Sequence, residues 1–279
     1  MNSGTKLQGI IERMPPLPEV AIQVLALVQD PEYSTDDLVA IVRTDPSLTA
    51  RLLKLCNSSL YSSSQPITTI REALGRLGVR NVIRVVVASC STHYFESSGA
   101  RPRILDPNAI WRHALACGVA AEVLSERLRT ADPGTAFTAG VLHDIGKVAL
   151  SQQSTAAIEN VAPLPGEGLI AFERRVMGMD HATVAGFVLD RWPVPPEVRR
   201  AIVNHHDVDK VRNDPPLTAI LHVADIMVLR AGVGCPADGL ELEYMPEALR
   251  VLGIDTANAD SYAPRFLTEL AQIEEMLTV

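Results

Sequence analysis

The chain has 279 residues, a formal net charge of −8 and 47% hydrophobic residues. That length supports a sizeable core and predicts two lobes rather than one, while the absence of any apolar run near the roughly 18 residues that span a bilayer, and of a basic N-terminal stretch leading into one, predicts a cytoplasmic protein with no membrane partner. Residues 1–100 carry nine basic and nine acidic side chains and residues 101–279 carry sixteen and twenty-four, an acidic second half that argues against nucleic acid as a partner.

Helical spacing dominates from the start. Leu17, Val20, Ala21, Val24, Leu25 and Val28 make one apolar stripe. Ser34, with Asp36 and Asp37, opens a helix to about Arg43, and Asp45-Pro46 reads as an N-cap followed by proline at the first helical position. Ile70, Ala73, Leu74 and Leu77 repeat the helical pattern, with Gly78 where a C-terminal cap belongs. Val82–Val87 is rich in β-branched residues, but no second strand is in sight to pair with it, so a buried helix is predicted. Breaks fall at 61–66, 97–102, 163–166 and 232–236. The second coincides with the change in charge balance, so the lobes are placed at 1–100 and 101–279. The expected architecture is all-α. Cys56, Cys90, Cys117 and Cys235 form no CxxC pair and read as core residues.

In the second lobe, polar residues ride on apolar stripes. From a helix beginning at Asp106-Pro107, His113 shares a face with Cys117, Ala120, Ala121, Leu124 and Leu128. On the next helix Ala136, Ala139, Gly140, His143, Asp144 and Lys147 share a face, with Val141, Ile145 and Val148 on another. His181 then aligns with Val184, Ala185, Val188 and Leu189, and His205-His206 with Val198, Ala201 and Ile202. Asp225 lies with Leu217, Ile220, Leu221, Ala224 and Val228. One such histidine alone is explained by core packing. Two carboxylates and five imidazoles converging in one apolar lobe are explained by metal, because buried charge pairs or binds an ion. The metal set is therefore His113, His143, Asp144, His181, His205, His206 and Asp225. Oxygen and nitrogen donors without thiolate suit manganese, iron, zinc, nickel or magnesium, and seven donors allow one ion or two, the latter bridged by Asp144. His93 reads as structural, and His222, off the Asp225 stripe, as a surface or supporting residue.

His113, the doublet His143-Asp144 and the later Asp225 resemble the motif of the HD superfamily of metal-dependent phosphohydrolases, with His181, His205 and His206 at the extra ligand positions of its two-metal members. The whole chain, from about residue 8 to 232, is more specifically similar to HDOD proteins, the HD-related output domain of bacterial signalling. That pattern is carried by Met14–Val20, Asp45–Leu53, Asn57-Ser58-Ser59, Ala73–Gly78, Trp111-Arg112-His113, Met179-Asp180-His181 and Val203–His206. The resemblance implies two helical lobes, the second an HD-like bundle, and signalling through a protein partner. It departs from the family's usual loss of ligands, since every position is filled. It departs equally from cyclic di-GMP phosphodiesterases: no Gly-Tyr-Pro follows His205-His206, and Ala109 stands where those enzymes carry a glutamate. The alternative is an enzyme acting on a phosphate-containing small molecule, with Asp144 orienting metal-bound water and Lys147 meeting phosphate; no P-loop accompanies it, and Arg112, Arg174 and Arg175 are its loose phosphate-binding candidates. The apolar composition permits a homodimer.

Overall fold

The computed structural model describes residues 3–27, 30, 32–61, 65–96, 106–153, 161–234 and 242–278, and the regular structure among them is entirely helical. The first six helices are α1 (Ser3–Arg13), α2 (Glu19–Leu27), α3 (Thr35–Val42), α4 (Pro46–Cys56), α5 (Ile70–Leu77) and α6 (Val79–Glu96). Their ends follow local chemistry. Ser34 and Asp37 form a reciprocal capping box on α3, and Asp45 accepts from Leu48 N at the start of α4. Thr69 and Glu72 cap α5 in the same way, and Gly78 ends it with φ of 79°, a conformation open to glycine. The β-branched run 82–87 lies inside α6, as a buried helix. The break at 97–102 and the lobe boundary drawn from it lie outside the described residues, as do Cys235 and the side chain of His93.

The second half begins with α7 (Pro107–Leu128), whose Asp106 cap accepts from Asn108 N, and α8 (Pro133–Leu142), capped by Asp132. There follow α9 (Ile145–Gln153), α10 (Leu169–Met177), α11 (His181–Leu189), α12 (Pro196–Asn204), α13 (Val208–Asn213) and α14 (Pro216–Arg230). The chain finishes with α15 (Pro246–Leu252), α16 (Thr256–Ser261) and α17 (Ala263–Thr278). Sequence spacing placed Ala136 to Lys147 on one continuous helix. Instead the helix stops at Leu142, His143 and Asp144 form a turn, and α9 restarts at Ile145. The His143 ring takes the Gly140 carbonyl at 2.7 Å and Lys147 N bonds back to Asp144 O at 2.8 Å, so side-chain and backbone bonds carry the chain through a corner that the apolar pattern does not register.

Helix α7 runs through the middle, packed on α8, α14 and α17. Its crossing with α8 is close because both sides are glycine: a Cβ on Gly140 would lie 2.6 Å from Cys117 and Gly118 backbone atoms. Apolar core residues extend continuously from Leu7 to Met276, and α6 packs against α7 and α8 while α1 packs against α9. None of the described helices is long and apolar enough to cross a membrane.

Candidate metal centre

All seven sequence-predicted ligands meet in the bundle. His113 comes from the middle of α7, His143 and Asp144 from the α8–α9 corner, His181 from the first residue of α11, His205 and His206 from the end of α12, and Asp225 from α14. His113, His143, His181 and His205 are wholly buried, Asp144 and Asp225 nearly so, and His206 is half-buried. His113 Nε2 lies 3.0 Å from Asp225 Oδ1 and 3.6 Å from Asp144 Oδ2, and His143 Nε2 lies 3.4 Å from the same Asp144 oxygen. The other Asp144 oxygen is 3.4 Å from His181 Nε2. His206 Nε2 sits 3.1 Å from His181 Nε2 and 3.7 Å from Asp225 Oδ2, its ring 3.9 Å from that of His205.

Four imidazoles are held by the far nitrogen. Nδ1 of His113, His143 and His205 donates to the carbonyls of Val233, Gly140 and Ile202 at 2.9, 2.7 and 2.6 Å, and Nδ1 of His181 donates to Glu173 Oε2 at 2.7 Å. Each such bond leaves Nε2 as the nitrogen that faces the centre, the arrangement that orients metal-ligating histidine; His143 and His205 present a lone pair there, while His113 Nε2 donates to Asp225 and would give up that proton to a metal. At the centre, His143 Nε2, His205 Nε2 and Asp144 Oδ1 are buried with no hydrogen-bond partner. Orphaned polar atoms are expensive, and these three residues each bring one ligand atom to within 4.8 Å of the others. The facing His181 and His206 nitrogens fit two ligands of one ion, since donors about 2.0–2.1 Å from a metal sit about 3 Å apart. The residues present therefore fit a divalent cation.

Charge in the pocket supports that fit. Burial pushes His143 down to about 4, and burial together with the imidazoles of His206, His143 and His181 holds His205 well below its ordinary value, so both keep a lone pair at neutral pH. Burial also opposes ionisation of Asp144 and Asp225, yet His143 and Lys147 around the first, and the His113 hydrogen bond to the second, hold both well below the usual carboxylate range. At His181 burial opposes the imidazolium, but Glu173 beside it carries the group up to about 9. Lys147 Nζ bonds Asp144 Oδ2 at 2.8 Å and is 2% exposed, so this lysine is an interior member of the cluster.

Three features were missed by sequence reasoning. Glu173 reads as one charge among Glu173-Arg174-Arg175, yet it is buried on the Leu169–Met177 stripe, the same signal that singled out Asp225. Cys117 Sγ lies 3.4 Å from His113 Nε2, so sulfur adjoins a set expected to be nitrogen and oxygen alone; burial pushes that thiol up to about 12. His222 is fully buried, its Nε2 accepting from Met245 N at 2.9 Å and its ring 6.4 Å from His206, which corrects its surface reading and leaves it a supporting role. The loose phosphate candidates are engaged elsewhere: Arg174 with Asp180, Arg175 with Glu167 and Arg112 with Glu274.

A family model for the HDOD domain matches residues 14–208. The chain belongs to this family. An HDOD domain protein of unknown function from Geobacter sulfurreducens has a crystal structure that superposes with a TM-score of 0.74 at 23% identity, covering 100% of both chains. A protein from Marinobacter aquaeolei VT8, provisionally described as a signal transduction protein, gives 0.74 at 21% identity over 99% of this chain and 65% of that one. A protein from Shewanella amazonensis SB2B, provisionally described as a metal-dependent phosphohydrolase, gives 0.61 at 20% identity over 99% of each. At these identities the likeness is one of fold. An uncharacterized protein of Treponema pallidum (strain Nichols) is 22% identical over 222 residues, 78% of this chain; the HDOD chain spans about two fifths of that relative's length, 42%.

Proposed function

We propose that this HDOD chain is a bacterial, cytoplasmic signal-transduction module that acts by contact with a protein partner, and that its HD-like centre holds one or two divalent ions. His113, His143, Asp144 and Asp225 would hold one, and His181, His205 and His206, with Asp144 between, a second. When bound, a cation would supply Lewis acidity, and these residues would tie α7, the α8–α9 corner, α11, α12 and α14 together through it. The observation that carries the reading is the burial of the ligand set. Residues exposed by only 0–2% at His113, His143, Asp144, His181, His205 and Asp225 suit an internal brace better than a catalytic centre, which keeps a coordination position open to substrate.

Elemental analysis of protein purified without chelator tests the metal. About one or two equivalents per chain are expected; less than about 0.2 at neutral pH overturns the reading. A pull-down under several growth conditions tests the partner, and recovery of none counts against it.

The second reading, hydrolysis of a nucleotide or other phosphate ester, draws on Lys147, whose ammonium beside Asp144 could meet an anion at the metal. Its chain-borne parts would be Asp144, orienting water, and Lys147, neutralising phosphate charge. A panel of phosphomonoesters and phosphodiesters with added manganese decides: turnover abolished by His143→Ala and Asp144→Ala establishes the enzyme, and no turnover, or turnover that survives both variants, removes it.

A further inference from the structure

Among the four imidazoles anchored through Nδ1, His181 differs in its anchor. The others lean on carbonyl oxygens, which are neutral. His181 leans on a carboxylate: Glu173 Oε2 accepts both its backbone N–H at 2.8 Å and its Nδ1–H at 2.7 Å. Glu173 is 2% exposed, and its second oxygen, Oε1, is buried without a hydrogen-bond partner. Hydrogen bonding alone does not call for a carboxylate here, although the His181 ring 2.7 Å away pairs with it when protonated. A glutamine oxygen would take the same two donors without burying a charge, and a buried carboxylate is costly. The neighbouring Arg174 does not neutralise it, since that guanidinium bonds Asp180 Oδ2 at 2.7 Å. What the carboxylate adds over an amide is negative charge, delivered through one imidazole to the centre.

The centre is uneven in a way that gives this charge a use. Around His113 and His143 lie both carboxylates, Asp225 at 3.0 Å from His113 and Asp144 at 3.4 Å from His143. The cluster of His181, His205 and His206 is imidazole-rich, with one Asp144 oxygen 3.4 Å from His181 Nε2. Three neutral imidazoles leave a dication in a dry interior short of compensating charge. We propose that Glu173 is the positioning and charge-balancing residue of the His181–His205–His206 subsite, making it a site for a borderline transition ion such as iron, cobalt, nickel or zinc rather than for magnesium. Imidazole donors favour the former ions and oxygen donors the latter. Carboxylate partners of ligating histidines typically contribute 10–100-fold in metal affinity.

This inference rests on the metal-binding reading above, and one experiment separates them. Metal-free wild type and Glu173→Gln are titrated with cobalt(II), following the visible absorption of the bound ion, with magnesium as competitor, and the metal-free proteins are melted in parallel. Glu173→Gln should bind the His181-side cobalt 10–100-fold more weakly whatever its metal-free melting point, and excess magnesium should not displace that cobalt from wild type. His181→Ala should lose the same spectral component. A purely structural role predicts a lower melting point with unchanged affinity. Binding within twofold of wild type, or ready displacement by magnesium, overturns the role of Glu173 and leaves the metal site standing; no cobalt uptake by wild type overturns both.

Discussion

Gly146 lies against the carbonyl of His181, so close that a Cβ at residue 146 would stand 1.9 Å from that oxygen and 2.8 Å from Ala185 N. The obstruction would be backbone, which cannot swing aside as a side chain can. Gly146→Ala should therefore push α11 away from α9, destabilising the protein by at least the 1–3 kcal/mol typical of overpacking, that is about 1–3 kcal/mol or more. It should also weaken metal binding by moving His181. Urea unfolding and metal titration read the two effects, and a variant as stable as wild type would mean that α11 is not held at this distance.

Asp144 answers several neighbours at once, with Lys147 the nearest at 2.8 Å. In Asp144→Ala an interior ammonium loses that carboxylate, and breaking a buried pair from one side costs roughly 3–5 kcal/mol. Lys147→Met in the same background removes the charge and should restore part of the loss. Chemical unfolding of the metal-free single and double variants tests this. If the double variant is no more stable than Asp144→Ala, the loss does not come from the Asp144–Lys147 pair.

Much of this arrangement was legible in advance because it is written in local patterns. Ser34, Asp45 and Gly78 cap helices from positions that backbone chemistry selects, and His113, His143, His181 and Asp225 could be found because each sits on an apolar stripe. The turn at His143-Asp144 was not legible, since Val141, Ile145 and Val148 keep helical spacing across it and the bonds that shape it belong to a single folded corner. Glu173 was hidden by its arginine neighbours, and the depth of His222 by its place off the main stripe. The helix of His222 packs on α7 and α15, distant in sequence, and one-dimensional periodicity carries no record of those.

Glu122 joins the two halves. It accepts from Arg80 Nε and Arg84 Nε, each at 2.7 Å, and Arg84 continues to Glu269 at 2.5 Å. Arg265 bonds Glu269 and Glu126, and Arg80 closes the circuit to Glu126. Three arginines and three glutamates thus alternate in a ring across α6, α7 and α17. Glu122→Ala takes from Arg84, whose side chain is 5% exposed, one of its two carboxylates, Glu269 remaining, and should cost about 1.5–3 kcal/mol, the range for a hydrogen bond to a charged group. Arg112→Ala, which breaks an exposed pair with Glu274, should change stability by less than about 1 kcal/mol. Parallel denaturant melts check the contrast; equal effects would show that the ring contributes no more than a surface contact.

The same ring predicts how stability responds to acid. Burial raises the Glu269 carboxyl, but the hydrogen bond from Arg84 outweighs it and holds the group below its ordinary value of 4.5. A carboxyl with a depressed folded pKa binds protons more readily in the unfolded chain, so its stabilising contribution is complete above about 4.5 and is lost as pH falls through the lower folded value. Unfolding midpoints of chelator-treated wild type and Glu269→Gln, taken from pH 7 to pH 3, should run parallel above pH 5. Below that the wild type should lose stability faster, closing the gap to the variant as the carboxylate takes up its proton. Curves that stay parallel down to pH 3 would mean that Glu269 is not ionised against Arg84 in the folded protein.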